Sequence, residues 1–300
     1  MSLTGAKKMP NTLDTNNQDD KIFALFKGPS GSGKSVAGLS FPGLFVFDYD
    51  FKMPAIALKH FPQKSIDYET FSDTDQISDL ISKWLECPVC GYQKLCEKEV
   101  GNKCQTSCPY ESLLHDSITN MENLVIRTIS EAKNEPVPQL IKTMLKSKGS
   151  KSNKTDMMDF DYYKAEMRFT EWLLMNSKVL LSRKGFPKNI VFTAHIVTTE
   201  SPNILTGVTT RTRAIVSQGN KVGAWIPTVF DEVYMFGYNQ TGGLGIGDKI
   251  GVARNILTMP YGEDDAKTAY RLAPNIDFTD KSFYDLLKLQ IAGQKFMASI

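Results

Sequence analysis

Several features are scarce in this sequence, and each absence narrows the reading. No apolar run comes near the ~20 residues needed to cross a bilayer, so nothing in the sequence reads as a membrane span. The first twenty residues, MSLTGAKKMPNTLDTNNQDD, lack the apolar centre of a secretory leader and read as a disordered tail (1–20), so the expected setting is the cytoplasm. Charge of one sign is missing too: 35 Lys and Arg against 33 Asp and Glu leave +2, too little to argue for a nucleic-acid partner alone. Cysteine is absent except in a single window, and no arginine-rich lid stretch of the kind a small-molecule kinase uses is visible. No internal repeat is present.

What remains is ordinary globular composition, 41% hydrophobic and 23% charged over 300 residues. A chain of this length buries roughly three quarters of its unfolded surface as one large domain. Short apolar runs recur as strands: KIFALF (21–26), LFVF (44–47), a stretch near 65–70, SLLH before Asp116, NIVFTA (189–194), residues 230–236 and a last one near 268–272. Amphipathic helices are expected over 74–86, 120–133 and 160–183. A polar loop is expected over 197–223 and a glycine-marked hairpin around 242–258. Strands alternating with helices, each strand ending in a polar residue, give an α/β fold with a mostly parallel sheet covered on both faces.

The most specific motif follows the first strand. Gly28, Pro29, Ser30, Gly31, Ser32, Gly33, Lys34 and Ser35 spell GPSGSGKS, a complete G-x-x-x-x-G-K-S phosphate loop between a strand and a helix. Its backbone N–H groups can point at phosphate oxygens beside a helix start. Lys34 is expected on the β- and γ-phosphates of ATP and Ser35 on Mg²⁺. A magnesium nucleotide also needs a carboxylate from a neighbouring strand end. Asp116, closing SLLHD, is the first candidate, with Asp48 and Asp50 as the rival pair after LFVF. The work can be divided, Asp116 serving the metal and Asp50 the attacking water. His195 ends another strand at the same sheet edge, as a γ-phosphate or DNA sensor.

The five cysteines, Cys87, Cys90, Cys96, Cys104 and Cys108, lie within 22 residues. Cys87-Pro-Val-Cys90-Gly is a knuckle-like turn, and Cys104 with Cys108 supplies a second thiolate pair for zinc, Cys96 being the alternate. Four thiolates would also suit an iron–sulfur cluster. The insertion (87–108) precedes the strand ending in Asp116 and so sits at the sheet edge away from the phosphate loop, which makes a structural role the expectation. A second insertion, 134–158, carries five lysines between Lys142 and Lys154 and reads as flexible.

The order GPSGSGKS, FDYD, LLHDSITNM, NIVFTAH and GNKVGAWIPTVFDEVYMF resembles the RecA-like ATPases of bacteriophages, in particular the phage nucleotide-binding family tied to single-strand annealing and recombination. The resemblance covers about 20–290, and the ATPase domain is placed at 21–290. It implies a RecA-like P-loop fold with a C-terminal hairpin, ATP and Mg²⁺ as cofactors, and an oligomer acting on single-stranded DNA. It supports Asp116 as the metal aspartate and His195 at the sensor position. It also implies that the segment after His195, with Arg211, Arg213, Lys221 and the nearby Trp225, meets DNA, and that Arg254 or Arg271 completes a neighbouring subunit's site. RecA relatives end the second strand Asp-x-Glu; here it is Asp48-Tyr49-Asp50, which argues for slow or partner-dependent hydrolysis. A DNA-packaging or helicase-type motor and a nucleotide-gated DNA-binding module with little hydrolysis are the alternatives.

Overall fold

A computed structural model describes residues 21–79, 110–131, 158–182, 187–202, 209–217, 220–241, 251–260, 266–270, 272–279 and 282–298. The chain runs β1 (Ile22–Gly28), α1 (Lys34–Leu39), β2 (Leu44–Asp48), α2 (Met53–His60), β3 (Asp67–Thr70), β4 (Ser112–Asp116), α3 (Ile118–Glu131), α4 (Met158–Ser182), β5 (Asn189–Pro202), β6 (Thr209–Ile215), α5 (Asn220–Val229), β7 (Glu232–Thr241), β8 (Gly251–Leu257), β9 (Asn275–Asp277) and α6 (Phe283–Ala298). Nine strands form one sheet in the order β3-β2-β4-β5-β1-β7-β8-β9, with β6 attached to β5. The pairs from β3 to β7 are all parallel, and only β5–β6, β7–β8 and β8–β9 are antiparallel. Mixed α/β with a mostly parallel centre is the expected class.

All seven residues of β1 are buried, which explains its unbroken apolar run. Side chains alternate across the sheet. Ile22, Ala24 and Phe26 meet Ala37 and Leu39 of α1 and Phe283, Leu287 and Ile291 of α6. Phe23 and Leu25 join the opposite core, with Ile118, Met121, Leu124 and Val125 of α3 and Phe169, Leu173 and Leu174 of α4. Within that second layer, the fully buried carboxyl of Glu166 on α4 faces Glu122 of α3 and the Thr170 hydroxyl.

The order places β5 between β1 and β4. Gly28 pairs with His195, and Asp48 with Asp116, so β1, β2 and β4 end at one edge, level with His195 of β5. β1 stops there, while β5 and β7 run on to Pro202 and Thr241.

Several expectations need correction. Among the described residues, 268–270 and 272 form no strand; Lys267 makes an isolated bridge to Val233, and the last strand seen is β9. The supposed loop 197–223 contains the end of β5, β6 and the start of α5. Helices α2 and α6 were not expected, and α6 carries packed core residues beyond 290. The helix expected at 74–86 is seen over 74–79. The hairpin around 242–258 corresponds to β7–β8. The tail 1–20, the cysteine segment 87–108 and all but the last residue of 134–158 lie outside the described residues. Among the described residues no helix is long and apolar enough to cross a membrane.

Candidate nucleotide site

The loop from Gly28 to Ser35 leaves β1 and enters α1 with Gly33 as N-cap in the left-handed region (φ 95°). At Gly28 a Cβ would lie 2.4 Å from the Phe236 carbonyl oxygen, so only glycine lets the loop leave beside β7. The Ser32 hydroxyl donates to the Pro29 carbonyl (2.8 Å), closing the turn. The Lys34 ammonium folds into the loop and donates to the carbonyls of Gly28 and Pro29, both at 2.8 Å. Burial lowers its pKa to about 8; Asp116 and Asp50 oppose that shift, and Lys52 adds to it.

Asp116 ends β4 almost fully buried, and its peptide bond to Ser117 is cis. It accepts from the Ser35 hydroxyl at 2.9 Å and, on its other oxygen, from Thr193 of β5. Burial pushes its carboxyl up, as does the nearby Asp50 charge, against the hydrogen bonds of Thr193 and Ser35 and the Lys34 charge. Ser35 and Asp116 thus form an oxygen-only donor pair, the hard-ligand chemistry that suits Mg²⁺.

Asp48 and Asp50, the pair set beside Asp116 as candidates, differ in their partners. Asp48 is fully buried and accepts from the backbone N–H groups of Asp50, Lys52 and Met53 at 3.0–3.3 Å, so it shapes the turn into α2. Asp50 faces the site. Its carboxylate accepts from Ser117 Oγ (3.3 Å), Asn120 Nδ2 and Lys52 Nζ (3.0 Å), and His195 Nε2 lies 4.0 Å away. Burial alone would raise its pKa, but His195, Asn120 and Lys52 together hold it well below the usual carboxylate range. Such a carboxylate is a weak base and serves better to orient water than to take its proton. The next residue, Phe51, adopts a left-handed backbone (φ 58°) and is 62% exposed.

The structure therefore brings Lys34, Ser35, Asp50, Asp116 and His195 to one sheet edge. The backbone of His195 donates to Thr119 Oγ1 (3.1 Å) and accepts from Val216 (2.8 Å), tying β5 to α3 and to the residue after β6. Arg211 and Arg213 lie on β6, opposite Glu200 and Thr198 of β5; Arg213 is exposed, and Lys221 is in α5. Trp225 is partly buried and packs against the hydrophobic core. A cavity of about 890 Å³ opens beyond the end of β1, between Ile196, Thr198 and Arg213 on one side and Tyr238, Asn239 and Asn255 on the other, with Pro29 of the phosphate loop in its wall. Among the described residues no group of three or more His, Cys, Asp or Glu could hold a metal ion. The proposed zinc ligands Cys87, Cys90, Cys104 and Cys108, and Cys96, lie outside those residues, as does Arg271.

Sequence reasoning missed Thr193, Asn120, Ser117 and Lys52. Thr193 could have been found two residues before His195, on the same face of a strand; Asn120 lies one helical turn past Asp116, with no motif to mark it.

Strand order and loop together define a P-loop nucleotide-binding ATPase domain. The family model described as "AAA domain" matches residues 20–268, and the chain belongs to that family. Among solved structures it is similar to the flagellar accessory protein FlaH from Methanocaldococcus jannaschii, at 12% identity over 86% of this chain and 84% of that one, with a TM-score of 0.36. No curated protein matches.

Proposed function

We propose that the protein is a magnesium-dependent ATPase that acts on single-stranded DNA as a homo-oligomer, in the recombination or replication of a bacteriophage genome. The observation that carries the ATPase part is the convergence of the phosphate loop, Asp116, Asp50 and His195 at one edge of adjoining parallel strands. Ligands of open α/β sheets bind at that edge. Lys34 holds the β- and γ-phosphates, and Ser35 with Asp116 holds Mg²⁺. The ion offsets charge on the transferring phosphoryl group. Asp50, fixed by Asn120 and Ser117, aligns the attacking water, and His195 reports the γ-phosphate to the β5–β6 hairpin. Arg211, Arg213 and Lys221 supply the phosphate contacts to DNA. The cysteine spacing supports one structural zinc apart from this chemistry.

A second reading has its own observation. The depressed basicity of Asp50 suits a nucleotide-gated DNA-binding module that turns ATP over slowly. The deciding measurement is ATP hydrolysis with and without single-stranded DNA, with Lys34→Ala and Asp50→Ala alongside. The ATPase reading expects DNA-stimulated turnover that vanishes in Lys34→Ala and falls about a hundredfold in Asp50→Ala, with nucleotide binding kept in the latter. Tight ATP binding without turnover in either condition selects the gated module.

A further inference from the structure

Arg254 was a candidate for reaching across to a neighbouring subunit, and its side chain lies against the phosphate loop of its own chain. It sits on β8, opposite Tyr238 of β7. Its backbone N–H donates to Thr279 Oγ1 (2.9 Å) and its carbonyl accepts from the Phe278 N–H (3.2 Å), so the strand is pinned where the side chain departs. That side chain lies against Gly33. A Cβ built on Gly33 would come within 2.9 Å of Arg254 Cδ, 3.3 Å of its Nε and 2.9 Å of the Phe278 ring. Gly33 is thus demanded twice, by its positive φ and by the arginine stem pressed on it.

The Arg254 Nε–H is buried and has no hydrogen-bond partner among the described residues. A desolvated donor of this kind is costly and calls for an explanation. Position supplies one. Lys34 feels the charges of Asp116, Asp50 and Lys52, whereas the charge of Arg254 reaches His60 at the end of α2. Arg254 therefore stands on the flank of the loop that faces the end of α2. On that flank a cleft of about 240 Å³ is bounded by Val36, Ser40, His60, Arg254, Phe278 and Thr279. With Lys34, Ser35 and Asp116 taking the γ end of the triphosphate, the α-phosphate and nucleoside are left to this side.

We propose that Arg254 is a nucleotide-binding residue acting in cis, its guanidinium donating to the α-phosphate of the ATP held in the same chain's loop, with the nucleoside in the cleft beside His60. This rests on the reading of the loop as an ATP site. An arginine fits the place better than a lysine, because the buried donor is the Nε–H on the packed stem.

The test is equilibrium binding of a fluorescent ATP analogue with Mg²⁺ to the full chain, over a wide range of protein concentration. Arg254→Gln, which keeps most of the stem, should weaken binding about tenfold or more at every concentration, with nucleotide-free melting close to wild type. Arg254→Lys keeps charge and stem but moves the donor, and should show a smaller loss. Wild-type affinity in both variants overturns the inference. So does recovery of turnover on mixing Arg254→Gln with Lys34→Ala, because a residue acting in trans would complement in mixed oligomers and one acting in cis cannot. A wild-type chain that binds no nucleotide overturns the ATP-site reading itself, and the inference falls with it. Should Arg254→Gln melt early, Arg254→Lys alone carries the comparison, and its equality with wild type is again decisive.

Discussion

Glu166 shows how one buried side chain sets a property of the whole fold without touching the nucleotide. Burial raises its carboxyl from 4.5 to about 7, with Glu122 and Thr170 as the polar groups that oppose the shift. Between those two values the folded chain keeps the proton and the unfolded chain loses it, so stability falls as pH rises through that window and levels off above 7. Glu166→Gln removes the titration. The variant should match wild type near pH 4.5 and be more stable by up to about 3 kcal/mol at pH 8. Thermal melting of both proteins from pH 4.5 to 8 checks this, and parallel curves would refute it. Legibility at this scale is uneven. Lys34, Ser35 and Asp116 could be read because their spacing belongs to a local motif or a strand end. The bonds of Thr193 to Asp116 and of Asn120 to Asp50 join residues 77 and 70 apart, and no local pattern announces such pairs.

Among the elements, those buried on both faces were the readable ones. β1, β2 and β4 are continuous apolar runs because helices cover each side, and a run of that kind has no periodicity to misread. Elements with one wet face were harder. Helix α2 has Leu58 73% exposed and only Met53 fully buried, so its sequence carries no clear stripe. Pro227 inside α5 disguises that helix as a loop. In α6 the buried set is Phe283, Leu287 and Ile291, one residue per turn, and the exposed Leu289 blurs it. The sheet needs that stripe all the same. Phe283 packs on Phe26, Tyr234 and Phe236, and Leu287 is fully buried behind it. Leu287→Ala should therefore cost about 2–5 kcal/mol, read as a lower denaturant midpoint with nucleotide affinity unchanged wherever the chain remains folded. A change within a few tenths of a kcal/mol would mean that α6 is peripheral.

At the scale of the molecule, binding of single-stranded DNA is the expectation with the clearest physical signature. Affinity carried by phosphate contacts should fall linearly with log salt concentration, and Arg213→Ala should reduce the magnitude of that slope by about one while weakening all sequences alike. A slope that does not change would remove β6 from the interface. The central sheet also has an unfilled lane. β1 occupies the place between β5 and β7 only as far as Gly28, and the two flanking strands then continue without it. Their continuations line the cavity of about 890 Å³ beyond Gly28. Pro29, the second residue of the phosphate loop, lines it. A guest in that cavity would touch the residue whose carbonyl holds Lys34, so Pro29 is a wall common to both sites. If the wall shifts for either, each guest alters the other's affinity by the same factor, and the exchange of influence needs no hinge or distant relay.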